Sequence, residues 1–389
     1  MKTNPGGTLA IDEIVGRDEL IAGAWETLAN ISIVMTAERR IGKTSIVRKM
    51  ANRPPSGWFA IFQDLERVHT ADQFASEVHE AIVRYLGSLN KLAHRAKKFL
   101  ESVGGVEVGG VIRLPEGKGK PWKELLVHSI EDLVTQQSPN RVVFFWDEMP
   151  YMLDSIRRTD GDEAAMEVLD VLRSLRQGSL DFRMVLTGSI GLHHVLTELK
   201  KADYRNSPVN DMFKIEVPPL ARGDAEDLAR RLLDGEGMTP SDREATVSAL
   251  AREGDDFPFY IHHIVKRLKL SGGPCEPDDV ARVVREQLVS PNDPWELRHY
   301  RERLRSYYPG RERLATEILD HLALAPGRET VDAILAAVKA RMPFDDREGL
   351  LDLLKLLALD HYLARDEGGR HTFRFPLIRR WWALDRGLA

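Results

Sequence analysis

The segment Ala37-Glu38-Arg39-Arg40-Ile41-Gly42-Lys43-Thr44 sets a glycine, a lysine and a hydroxyl in succession after four further positions. That is the spacing of a loop whose backbone N–H groups surround a phosphate. In such a loop the positive end of the following helix, which here would begin at Lys43 and include Ser45, holds the β-phosphate. Lys43 reaches the β and γ oxygens, and the Thr44 hydroxyl binds Mg²⁺. A Gly-Lys-Thr triplet also arises by chance, so a second group is needed. It comes from Val142-Val143-Phe144-Phe145-Trp146-Asp147-Glu148, an apolar run that ends in two carboxylates. Asp147 suits water-mediated binding of Mg²⁺, and Glu148 suits polarisation of an attacking water. The competing reading, that the pair only caps a following helix, loses weight beside the upstream loop. Together the two segments predict binding and hydrolysis of ATP with Mg²⁺.

The flanking elements are the ones this chemistry requires. Ile31 to Met35 reads as a short strand, and Lys43 to Met50 as a helix. Trp58 to Phe62 is a second strand, followed by a helix from about Ala71 to Leu86 with Phe74, Val78, Ile82 and Leu86 on one face. Lys123 to Gln137 reads as helix, Val142 to Trp146 and Phe182 to Thr187 as strands, and Ala164 to Leu175 as the helix between them. Strands without alternation, separated by helices, imply a parallel sheet buried on both faces. Its C-terminal edge is where ligands bind. Residues 88–121 break the pattern with paired glycines and alternating valines, as an inserted hairpin or loop would.

Beyond Val217 only helices are expected up to about residue 290, a lid-sized region. From 291 onward come helices at about Arg311 to Leu324, Thr330 to Met342 and Asp346 to Asp360. Tyr362 to Arg365 and His371 to Phe375 then read as two strands, the order of a winged helix. The fold class is therefore α/β, a P-loop NTPase domain at 1–217 with an insertion at about 88–121. An all-helical lid at 218–290 and a C-terminal winged-helix domain at 291–389 follow.

Arg39-Arg40-Ile41-Gly42-Lys43-Thr44-Ser45 and the strand ending in Asp147-Glu148 resemble the archaeal-type ATPases of the STAND group, relatives of AAA+ proteins. Val15-Gly16-Arg17 before the first strand, Thr187-Gly188-Ser189 after the fourth, and Gly254 with Pro258 extend the resemblance over most of the chain. It implies that Val15, Arg17 and Pro258 border the adenine and that Ser189 senses the γ-phosphate. It also implies a loop built from Ala37, Arg39, Arg40, Ile41 and Gly42 around the phosphates. Ala37 departs from the family's usual glycine, and a small difference in turn geometry is expected there. Arg205 is the candidate for an arginine offered to a neighbouring subunit's γ-phosphate, although a surface arginine in a loop is the commoner case.

Composition bounds the function. With 389 residues, 43% hydrophobic and 30% charged, the chain is long enough for two or three domains. A net charge of −5 gives no general attraction to nucleic acid. The single cysteine, Cys275, excludes an internal disulfide and a thiolate metal site. No stretch reaches the roughly 18 apolar residues that span a bilayer, so a cytoplasmic protein without membrane attachment is expected. His193-His194 and His262-His263 read as helix-surface histidines, and Trp381-Trp382 as an anchor for the last helix. The third C-terminal helix is acidic, whereas Arg365, Arg370, Arg374, Arg379, Arg380 and Arg386 form a basic strip. The winged helix is accordingly expected to contact protein first and DNA second. The reading is an ATP-driven switch that acts through a partner protein or a homo-oligomer in its ATP state. The alternative is a DNA-binding initiator or loader.

Overall fold

Strands as apolar as these must be covered on both faces, and the chain supplies a helix after nearly every one. The structure, a computed structural model, describes residues 1–88, 98, 102, 106–108, 111–113, 121–188 and 191–388. They form two compact units, one of residues 17–36 and 43–217, the other of 1–16, 37–42 and 218–389.

The first unit runs α1 (Asp18–Leu28), β1 (Ile33–Thr36), α2 (Lys43–Asn52), β2 (Trp58–Asp64), α3 (Ala71–Ser88), β3 (Val106–Val108), β4 (Val111–Arg113), α4 (Pro121–Gln137), β5 (Arg141–Asp147), α5 (Met149–Thr159), α6 (Asp162–Gly178), β6 (Phe182–Thr187), α7 (Leu192–Lys201) and β7 (Phe213–Glu216). Five strands make a parallel sheet in the order β2-β5-β6-β1-β7. Of the stretch at about 88–121, read as an inserted hairpin or loop, the described residues include the antiparallel pair β3-β4, and most of the rest lies outside the described residues. Phe144, Phe145 and Trp146 on β5 are fully buried, each worth on the order of 2 kcal/mol relative to exposure. Phe74 meets Trp146 edge-on with centroids 5.5 Å apart. The indole N–H of Trp146 donates to Gln63 Oε1 at 2.9 Å, so the buried ring leaves no orphaned donor. Between β5 and β6 the single helix expected at 164–175 is instead two, α5 and α6. Gly161 at φ +95° turns the chain between them, a conformation a side chain would resist.

In the second unit α8 (Arg222–Glu236), α9 (Arg243–Glu253), α10 (Pro258–Ser271) and α11 (Pro277–Leu288) precede α12 (His299–Tyr307). The sequence gives little sign of α12, whose residues are mostly polar. Then come α13 (Glu312–Leu324), α14 (Val331–Arg341), α15 (Arg347–Leu359), β8 (Leu363–Arg365), β9 (His371–Phe373) and α16 (Pro376–Asp385). Helices α13 to α15 with the antiparallel β8-β9 hairpin keep the element order of a winged helix. Trp381 and Trp382 are buried, and Trp382 Nε1 donates to Asp320 Oδ1 at 2.8 Å, so the pair anchors the last helix as expected. Among the described residues no helix is long and apolar enough to cross a membrane.

Candidate nucleotide site

The sheet register decides what meets at its C-terminal edge. Met35 on β1 lies opposite Thr187 on β6, and Trp146 on β5 opposite Leu186. The end of β6 therefore lies between the exit of β1 and the end of β5. Asp147 is buried there. Its Oδ2 accepts from the Thr44 hydroxyl at 2.6 Å, and its Oδ1 accepts from the Thr187 hydroxyl at 3.0 Å and the Glu148 amide at 3.1 Å. A buried carboxylate oriented by three donors is held in one rotamer, as a metal-positioning group must be.

Thr44 lies in the first turn of α2 and Lys43 at its first residue, where Lys43 is buried and Ser45 partly so. A hydroxyl beside a fixed carboxylate is a hard oxygen pair that fits Mg²⁺, which binds through one or two protein oxygens and keeps several waters. Gly42 precedes them at φ +97°, with no atom within 4 Å of where a Cβ would stand. That open side of the loop, leading into a helix N-terminus, fits a phosphate. Glu148 itself has φ +57° and ψ +29° and precedes α5. A non-glycine residue held in the left-handed region marks a position where the surroundings dictate the backbone.

Gly188 has a steric rather than a conformational reason. A Cβ there would stand 2.5 Å from Pro150 Cδ, so β6 approaches the start of α5 only because residue 188 lacks a side chain. Ser189 lies outside the described residues. Thr187, which grips Asp147, was overlooked in the sequence as a site residue. Its signal was a lone hydroxyl closing an otherwise apolar strand.

The remaining loop residues, 37–42, belong to the second unit. Ala37 is buried, and it is not among the residues with positive φ, which in this loop are Arg40 (φ +68°) and Gly42. The backbone at Ala37 therefore makes no demand that only glycine could meet. Ile41 is buried. Arg40 stacks over Phe259 with 4.5 Å to the ring centroid and pairs with Glu296, while Arg39 lies 3.8 Å from the same carboxylate. Glu38, to which the sequence reading assigned no role, is 3% exposed.

Val15 is partly buried beside Gly16, whose φ is +66° and whose Cβ would stand 2.5 Å from Asp224 Cβ. Gly16 is thereby pressed against α8. Arg17 is buried at the N-terminus of α1. Pro258 is the first residue of α10, after Asp255 and Asp256, both at positive φ. Arg205 is 85% exposed and chelates Asp203 two residues away, the local pairing of an ordinary surface arginine.

One expectation is corrected. His262 is buried, not on the surface: its Nδ1 accepts from the Asn4 amide at 3.1 Å, and burial pushes its pKa down to about 4. Four arginines of the basic strip are already engaged. Arg370 pairs with Asp366, Arg380 with Glu253 and Arg386 with Asp320, while Arg379 caps the Ala323 and Ala325 carbonyls.

No family model matches the chain, and no curated protein does. Among solved structures the chain is similar to a Walker-type ATPase of Pyrococcus abyssi. The TM-score is 0.68 at 16% identity, over 98% of this chain and 99% of that one. It is also similar to the ORC2 protein of Aeropyrum pernix, solved as ADPNP–ADP complexes. There the TM-score is 0.52 at 12% identity, over 96% of this chain and 90% of that one. At such identities the likeness shows fold alone, the parallel sheet flanked by helices of a P-loop NTPase fold.

Proposed function

We propose that this protein binds and hydrolyses ATP as a molecular switch of the STAND and AAA+-like kind. In this reading its nucleotide state controls homo-oligomeric assembly or a protein partner in the cytoplasm. The observation that carries the reading is Asp147, buried and held by Thr44 of the loop helix and Thr187 of the neighbouring strand. Mg²⁺, when bound, would neutralise charge developing on the phosphates, with Thr44 and Asp147 as its protein-side oxygens. Lys43 would hold the β and γ oxygens. Glu148 would take the attacking water's proton, and Ser189 would read the γ-phosphate. Val15, Arg17 and Pro258 would border the adenine, and Arg205 would serve a neighbouring subunit.

Lys43→Ala is expected to abolish ATP binding in titration calorimetry, and unchanged affinity would sink the reading. Light scattering after size exclusion tests the switch, using Glu148→Gln with and without ATP and Mg²⁺. A larger species formed only with ATP supports nucleotide-driven assembly, and constant mass removes it.

The likeness to ORC2 favours a second reading, a DNA-binding initiator or loader. The engagement of Arg370, Arg379, Arg380 and Arg386 with protein partners weighs against it, because a guanidinium already paired gains less from a phosphate. Failure to shift duplex DNA at about 50 mM salt would eliminate it.

A further inference from the structure

Glu38 is the second residue of the phosphate loop, and its side chain is buried among residues of the C-terminal helices. Its Oε1 accepts from the Arg39 amide at 2.7 Å, from inside the loop itself. The same oxygen faces the Arg303 guanidinium at 3.4 and 3.5 Å and His299 Nε2 at 3.9 Å, both from α12. Arg303 is itself 11% exposed and lies over the Tyr300 ring, 5.6 Å from its centroid. Burial, the largest influence on Glu38, favours the neutral acid. The charge of Arg303, with the nearby His299 ring, outweighs it and holds the carboxyl at about 2.

The next two residues are tied to the same segment. Arg39 and Arg40 meet Glu296, and Arg40, in the left-handed region, is stacked on Phe259. The segment is rigid in turn: Asp293 accepts from the Leu297 amide at 2.8 Å and the Arg298 amide at 3.0 Å. The conformation of residues 38–40, which sets how the chain enters Gly42 and Lys43, is therefore fixed by α12 and the turn before it.

We propose that Glu38 and Arg303 form a latch that sets the shape of the phosphate loop and couples nucleotide affinity to α12. Neither residue touches the phosphates in this proposal; both are positioning residues. A buried carboxylate stripped of its guanidinium is costly to keep in place, so the loop would rearrange to return it to water. Rearrangement turns loop amides away from the phosphate. By linkage, whatever the latch does to ATP binding, ATP binding does to the latch. The proposal rests on the ATP reading above and deepens it.

The test is a double-mutant cycle on ATP affinity in the full chain, with Glu38→Gln, Arg303→Met, the double variant and Arg303→Lys, each checked by circular dichroism. We expect each single change to weaken ATP binding about tenfold, the double variant to be no weaker than either, and Arg303→Lys to fall between. Unchanged affinity in both single variants, or losses that multiply in the double, would overturn the latch. Hydrogen exchange on the wild type needs no variant to fold: ATP with Mg²⁺ should alter the protection of the His299–Tyr307 amides. No change there, with ATP demonstrably bound, also overturns it. If the wild type binds no ATP, the functional reading itself fails, which calorimetry detects separately.

Discussion

Two adjacent carboxylates of the site stand on one backbone kink. Asp147 ends β5 with its carboxylate fixed by three donors, and the next residue, Glu148, turns left-handed at φ +57° before α5 begins. The left-handed turn costs an L-residue roughly 1 kcal/mol, a penalty glycine escapes. Glu148→Ala and Glu148→Gly should both abolish ATP turnover, since each removes the carboxylate. In urea unfolding the glycine variant should nevertheless be the more stable of the two, by about 1 kcal/mol. The reverse order would mean that the surroundings do not impose this turn. Much of this geometry was readable in advance. Asp147, Lys43 and Thr44 are residue types with few other reasons to stand at such positions. Glu38 and Thr187 were not, because their roles depend on partners, Arg303 and Asp147, that are brought close only by the fold.

At the level of elements, β5 and β6 were legible because burial on both faces leaves an unbroken apolar signal, as in Val142 to Trp146. Helix α12 was not, since His299, Arg301, Glu302, Arg303 and Arg305 hide its two fully covered residues, Tyr300 and Leu304. The turn between α9 and α10 carries a consequence that only tertiary structure reveals. Asp255 there accepts from the Leu377 amide at 2.6 Å, tying the turn to α16, beside Arg380, Glu253 and Asp256. Burial, the largest influence, raises its carboxyl to about 6, although the Leu377 amide and Arg380 pull the other way. A raised carboxyl pKa means that the fold prefers the protonated acid. That contribution is complete below the unfolded value of about 4 and is lost as the pH rises through about 6. Asp255→Asn keeps an acceptor for Leu377 and removes the titration. It should stabilise the protein at pH 8 by on the order of 3 kcal/mol relative to wild type, and far less at pH 4. Urea midpoints at the two pH values measure this, and a gain equal at both would contradict the assignment.

On the scale of the whole molecule, each unit carries a buried histidine that must stay neutral. In the first unit His79 is 3% exposed, and burial pushes its pKa down to about 4 against the partial opposition of Asp132. The Ser129 hydroxyl donates to the Leu125 carbonyl at 2.6 Å, so it accepts from His79 Nδ1 at 2.7 Å. In the second unit His262, 2% exposed and likewise near 4, uses its Nδ1 lone pair to hold the Asn4 amide and thus the N-terminal segment. Protonation of Nδ1 would break that bond. Both pKa values lie below the unfolded value of about 6.5, so the unfolded chain takes up protons first as pH falls. Their stability is fully present above about 6.5 and drains between 6.5 and 4, by about 1.4 kcal/mol per pH unit for each histidine. Urea unfolding from pH 7.5 to 4.5 should therefore show a steep acid loss. His79→Gln should flatten it for the unit that contains the sheet, and His262→Gln for the helical unit. Each variant should remove close to one proton from the dependence. Equal slopes in the wild type and both variants would mean that these histidines already ionise freely in the folded protein.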